Sequence, residues 1–177
     1  MTKSNLKEKE VEKKGQTPNM IFINRIKMEN DGTASINYKV SNEVNAKEVS
    51  FRGKEQVTTE FSKLFQETTD GFTSIVTKLH PDINKLTMNV IKFDYGKSDF
   101  LEKALYSVKY AFSEQNNAVI NISTPMLPIY KEEFGDKTFC LSGRYVDQLY
   151  EVIEAAKRYI NGETKVKQQD LGLTIVK

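Results

Sequence analysis

The turn Asn30-Asp31-Gly32 and the segments flanking it constrain this chain most. After the turn, Ala34, Ile36, Tyr38 and Val40 alternate with Thr33, Ser35, Asn37 and Lys39; before it, Phe22, Ile26 and Met28 recur at even spacing. Successive side chains of an extended strand point to opposite faces, so a period of two builds one apolar and one wet face. Asp-Gly supplies the backbone freedom that a tight antiparallel connection needs. A β-hairpin therefore opens the folded part of the chain at Met20. A third short strand over 47–52, with Val49 and Phe51 inward, follows before Gly53 breaks the pattern.

The period then lengthens. Val57, Phe61, Leu64, Phe65, Phe72, Ile75, Val76 and Leu79 fall on one helical stripe, which predicts a long helix over 54–79 with a bend at Asp70-Gly71. Pro81 stops it and leaves His80 at the helix end. Leu86, Met88, Val90, Ile91, Phe93 and Tyr95 predict an apolar strand whose inward phase switches at Val90-Ile91, implying a bulge or burial on both faces. Residues 100–112 fit two templates: a helix behind a Ser98 cap, or a strand with Tyr106, Val108, Tyr110 and Phe112 on one face. The polar loop Ser113–Asn117 and the alternation of Ala118, Ile120, Ile122 and Thr124 favour the strand, as part of a hairpin. Pro125 and Pro128 end the sheet. A last helix from Gly143 to Asn161 has Ser142 as N-cap, an inward stripe of Val146, Leu149, Val152, Ile153, Ala156 and Ile160, and an Asn161-Gly162 stop.

These elements define an α+β class: antiparallel sheet from an N-terminal hairpin and a C-terminal three-stranded meander, packed by a long central helix and a C-terminal helix. One domain is expected over 19–162, between a charged, disordered tail over 1–18 and a C-terminal extension over 163–177. Phe61, Leu64, Phe65, Ile75, Val76, Val90, Val108, Ile120, Ile122, Leu149, Val152 and Ile153 are the expected core. The strand around 117–123 has no lysine or proline to protect its edge before Pro125. Something should shield it, either the 125–141 loop or a second copy in a homo-oligomer.

Charge and reactive side chains bound the function. The 177 residues carry 26 lysines and arginines against 24 acids, a net charge of +2. The first 18 residues hold five lysines and three glutamates, so the remainder is formally neutral. Nonspecific nucleic-acid affinity comes largely from cations that neutralise phosphates, and a neutral body with four arginines lacks a strong basic footprint. A local basic groove can still hide inside a balanced total. No apolar run reaches the ~20 residues of a membrane span, and the N-terminus is followed by charge, which reads as a soluble, unexported chain of the cytoplasm.

A single cysteine, Cys140, and a single histidine, His80, leave no internal disulfide, no zinc cluster and no multi-histidine metal site. No Gly-rich phosphate loop is present. His80 reads first as a helix-end cap, Cys140 in its Thr138-Phe139-Cys140-Leu141 setting as a buried thiol, and Asp94 with Asp99 as a solvated loop. Neither a catalytic residue, a metal nor a cofactor is therefore expected. Tyr106, Tyr110 and Phe112 remain as binding candidates, because aromatics on one strand face can stack nucleobases; half-buried sheets also place such residues there for core or oligomer packing.

The C-terminal half resembles small bacteriophage proteins of unknown function, often encoded among early genes for DNA recombination and replication. The likeness is carried by Asn121-Ile122-Ser123-Thr124-Pro125-Met126-Leu127-Pro128, the helix start Phe139-Cys140-Leu141-Ser142, and Ala155-Ala156-Lys157-Arg158-Tyr159-Ile160-Asn161-Gly162, with Val49-Ser50-Phe51-Arg52-Gly53-Lys54 upstream. It covers residues 20 to 165, and the chain departs from it by adding Leu171 to Lys177. The resemblance brings no catalytic residue. It implies a phage source and a place in the host cytoplasm.

The expectation is a non-enzymatic early protein, an accessory in phage recombination or replication that binds single-stranded DNA or a protein partner. The alternative is an inhibitor of a host antiviral defence system that binds a host protein or sequesters a nucleotide signal.

Overall fold

The computed structural model describes residues 20–41, 46–76, 82–96, 100–113, 118–129, 140–141 and 143–166. The elements are strands β1 (Met20–Met28), β2 (Ala34–Ser41) and β3 (Ala46–Arg52), helices α1 (Thr59–Glu67) and α2 (Thr69–Ile75), strands β4 (Leu86–Tyr95), β5 (Leu101–Ser113), β6 (Ala118–Ser123) and β7 (Leu127–Pro128), and helix α3 (Gly143–Ile160). The expectations for residues 1–18, His80, Pro81, Ser98, Asp99, Asn117 and Ser142 lie outside the described residues.

The hairpin and the meander form one sheet. Its order is β3-β2-β1-β4-β5-β6, with β7 also paired to β5, and every pairing is antiparallel. The join is β1 against β4, through Arg25↔Lys92, Ile26↔Ile91 and Lys27↔Val90. Leu101–Ser113 is strand, as the hairpin reading of residues 100–112 expects. Where Pro125 would interrupt the ladder, Thr124 extends it. Its N–H donates to the Tyr106 carbonyl at 2.9 Å, and its Oγ1 accepts from the Tyr106 N–H at 3.1 Å.

Directly opposed residues of antiparallel strands share a face, so the register sorts the sheet into two sides. One row runs Phe51–Ile36–Ile26–Ile91–Tyr106 across five strands, and its members from Ile36 to Tyr106 are almost wholly excluded from solvent. All three helices cover this side. Phe61 and Phe65 of α1, Phe72 of α2, and Leu149, Val152, Ile153 and Ala156 of α3 belong to the same buried cluster as Ile26, Ile36, Ile91 and Tyr106. The expected phase switch is a bulge between Met88 and Val90: Ile91 is buried on the helix side, and Val90 is buried outside that cluster.

The central helix differs from the expectation. Two short helices meet at Thr68 instead of one running over 54–79 with a bend at Asp70-Gly71. The start is set by Thr58, whose Oγ1 accepts from the Phe61 N–H at 3.1 Å; such a cap satisfies one of the donors a helix N-terminus leaves open. The break comes from hydroxyls bonding back into the helix. Thr68 Oγ1 donates to the Phe65 carbonyl and Thr69 Oγ1 to the Gln66 carbonyl, both at 2.6 Å, and such bonds compete with the helical ladder. Gly71 has another role: a Cβ there would come within 2.9 Å of the Tyr106 hydroxyl, so the missing side chain lets α2 approach β5.

Seven of the twelve expected core residues are buried: Phe61, Phe65, Val90, Val108, Leu149, Val152 and Ile153. Leu64, Ile75, Val76 and Ile122 are half-buried against the cluster. Ile120 is the correction. It lies on the helix side but is 48% exposed, because it sits on the outermost strand, beyond β5, the last strand the helices reach. Beyond Gly162, Thr164 is buried and donates to Glu55, and the Lys165 N–H donates to the Gln56 carbonyl, so the chain remains attached to the domain past the end of α3.

Burial pushes the phenols of Tyr95, Tyr106 and Tyr159 above the ordinary tyrosine value of 10. The unfolded chain then loses these protons first as pH rises. The stabilisation is fully present below pH 10 and is lost as pH climbs through the raised folded values. Urea titrations at successive pH values should give a constant midpoint up to about pH 10 and a falling one above it, with a smaller fall in Tyr106→Phe.

Candidate nucleic-acid interface

The second side of the sheet carries no helix among the described residues. Its central rows are Ser50–Asn37–Arg25–Lys92–Leu105 and Arg52–Ser35–Lys27–Val90–Ser107–Ser123, each formed by directly paired residues. By the same register, Lys39 and Glu48 oppose each other toward one end, as do Asp94 and Lys103, while Lys109 lies between Thr87 and Asn121. Seven cations thus meet two carboxylates of the strands, Glu48 and Asp94, and a third, Glu29, that reaches this side from the β1–β2 turn. The chain's near-neutral total conceals a one-sided basic surface. Its remaining groups are mostly hydroxyls and amides, which suit contact with sugar and phosphate oxygens.

The cations are not equivalent. Lys27 Nζ bonds Glu29 at 2.7 Å, and Ser35 Oγ donates to the other oxygen of that carboxylate at 2.8 Å. These bonds hold the Glu29 carboxyl below its usual range. Asp31 at the turn is lowered in the same way by the hydroxyl and the backbone N–H of Thr33. Arg52 lies close enough to act electrostatically on both acids. Lys109 donates to Asn30 at 3.0 Å. Arg25 and Lys92 make no hydrogen bond or ion pair with any described residue, and the Arg25 Nε is shielded from solvent without an acceptor. Val90 and Ser107 are buried beside them, between longer neighbours.

Tyr106 and Tyr110 lie on the helix-covered side, Phe112 falls at a bulge between Ala111 and Ser113 with no cross-strand partner, and the three rings sit at three depths. Tyr106 is 1% exposed beneath α2, Tyr110 is half-buried, and Phe112 is 70% exposed. The strand brings Tyr110 and Phe112 toward the free edge and keeps Tyr106 inside the core, so the three rings offer no shared stacking platform. Cys140 is partly exposed. Asp94 is on the open side facing Lys103. Among the described residues no group of three or more His, Cys, Asp or Glu side chains is placed to hold a metal ion, and no helix is long and apolar enough to cross a membrane.

Two concavities lie elsewhere, away from the open side. One of about 780 Å³, between the β1–β2 turn and α1, is lined by polar groups that already bond each other: Gln56 to the Asp31 carbonyl, and Gln66 to Thr69, the Leu86 carbonyl and the Met88 N–H. The other, about 510 Å³, has Phe22, Tyr95 and Tyr150 in its wall and Lys157 and Arg158 at its rim. Lys157 is paired with Glu154, and Arg158 with Glu60 and Glu163.

Comparison with protein-family models, curated proteins and solved structures returns no match.

Sequence reasoning missed the open basic side because it depends on β1 pairing with β4, which places Arg25 beside Lys92 across 67 positions of chain. The signal was present in part: Lys39 and Arg52 occupy the polar phase of strands whose alternation is plain.

Proposed function

We propose that this protein is a non-enzymatic bacteriophage early protein, an accessory in phage DNA recombination or replication in the host cytoplasm, which binds single-stranded nucleic acid across the open side of its sheet. The observation that carries the reading is the antiparallel face that no described helix covers, with seven cations against three carboxylates, Glu29, Glu48 and Asp94. Phage origin rests on the sequence resemblance alone. Since Tyr106 and Tyr110 lie on the opposite side and Phe112 falls at a bulge near the end of β5, affinity on this face comes from phosphate contacts rather than stacking. It should therefore be tolerant of sequence and steeply dependent on salt. Fluorescence anisotropy with a labelled oligothymidylate should give a slope of log K against log salt near about −3.5 for about five engaged phosphates. No binding at low salt would remove the reading.

A second reading, inhibition of a host defence system by binding a host protein, is favoured by a different feature. The outer edge of β6 and the exposed Phe112, Val119 and Ile120 form an apolar end to the sheet. That surface accepts a strand, either from a partner protein or from a second copy of this chain. Homo-oligomerisation through it is compatible with nucleic-acid binding, because the open basic side stays free.

A further inference from the structure

Resting on the nucleic-acid reading, we infer that Arg25 and Lys92 form a phosphate-binding site at the centre of the open side. The two residues are direct cross-strand partners on the adjacent strands β1 and β4, in the interior of the sheet order. Like charges directly opposed across a pair of strands repel and cost stability. Of the other cations on this side, Lys27 bonds Glu29, Lys109 bonds Asn30, Arg52 lies near Glu29 and Asp31, and Lys39 and Lys103 are the register partners of Glu48 and Asp94. Arg25 and Lys92 make no hydrogen bond or ion pair with a described residue; their direct row neighbours, Asn37 and Leu105, carry no charge, and the nearest acid on their face is Asp94, two residues along β4 from Lys92. The Arg25 Nε is shielded from water with no acceptor, so packing rather than a protein carboxylate holds the guanidinium in place.

An oxyanion resolves the whole arrangement. A phosphate oxygen pair accepts from a guanidinium fork, and an ammonium beside it adds a compact charge. The ligand chemistry is a phosphate mono- or diester, and two sources share it: the backbone of a single strand, or a free nucleotide or phosphate.

The test compares the full chain with Arg25→Gln, Lys92→Gln, the double variant, and Lys63→Gln on α1 as a control from the helix side. The double variant should melt at or above the parent temperature, because the opposed charges are gone. It should bind oligothymidylate about tenfold or more weakly at low salt, with a slope shallower by about 1.4, the equivalent of two phosphates. Lys63→Gln should bind as the parent does. Equal binding by parent and double variant would overturn this site and leave the nucleic-acid reading standing. If the parent ignores the oligonucleotide but inorganic phosphate or pyrophosphate shifts the Arg25 and Lys92 amide resonances, and does so only in the parent, the site holds for small phosphates and the nucleic-acid reading fails. Displacement of either ligand by polyglutamate as readily as by phosphate would overturn phosphate recognition in favour of an acidic protein.

Discussion

Truncation of Tyr159 to alanine is expected to lower the unfolding free energy by about 3 to 5 kcal/mol, the range for removing a large aromatic from a core. The ring is 2% exposed, between Phe51 of β3, edge-on at 5.7 Å, and Phe61 of α1 at 6.0 Å. Its hydroxyl donates to the Glu55 carbonyl and accepts, at 3.4 Å, from the Ala34 N–H of β2. One side chain of α3 therefore ties the hairpin, the β3–α1 connection and α1 together. Losing it opens a cavity and leaves buried backbone groups unpaired, two costs that add. Tyr159→Phe should retain the packing and lose about 1 kcal/mol or somewhat more, for the hydroxyl alone. Urea midpoints of the two variants separate the contributions; a loss of under about 1 kcal/mol in Tyr159→Ala would show that the cluster does not anchor α3. Gly53 belongs to the same contact. A Cβ at that position would fall 1.8 Å from the Tyr159 hydroxyl, so the glycine clears the space the ring occupies.

What was legible in the sequence was local. Alternation placed β1, β2, β4 and β6 and the helical stripe placed α3, because period and turn chemistry are properties of neighbouring residues. Residues 100–112 satisfied both a helical and an extended template, and only the loop and strand after them decided for strand. The split of the central helix was harder to see. An apolar stripe continues across a break when both helices face the same sheet, and the hydroxyls of Thr68 and Thr69 act at the level of single hydrogen bonds. The candidate site was illegible for another reason: Arg25 and Lys92 are unremarkable polar-phase residues until β1 and β4 pair, and that pairing is non-local. Net charge hid it too, since a total of 26 cations and 24 acids says nothing of how they divide between the two sides of the sheet.

The outer edge of β6 yields the second large effect, on assembly. We hypothesise that two copies pair through it. The opposite edge, β3, is blunted by Lys47, Glu48 and Arg52, whereas Ala118-Val119-Ile120-Asn121-Ile122-Ser123 contains no charge. Natural sheets seldom leave a neutral edge of that kind bare. β7 extends beside β5 only at Lys103 and Ala104, so it does not cover β6. A two-fold axis normal to the sheet at Asn121 sets Ile120 of each copy opposite the Ile122 of the other, on the side where Tyr110 pairs with Ile120. Such an interface uses the same patch twice, as a closed dimer requires. It also keeps both open basic sides on one surface, so a bound strand would meet a track twice as long. Light scattering should then report about twice the 20.3 kDa chain mass at micromolar concentration. Ile120→Lys places an unpaired charge at the axis, a cost of about 3 kcal/mol or more, and should weaken association by two orders of magnitude or more without lowering the melting temperature of the separated chain. Tyr110→Glu should act in the same direction, with some loss of stability because that ring is half-buried against the core. A parent mass near 20.3 kDa at every concentration would exclude the dimer and leave the 125–141 loop as the expected cover of this edge.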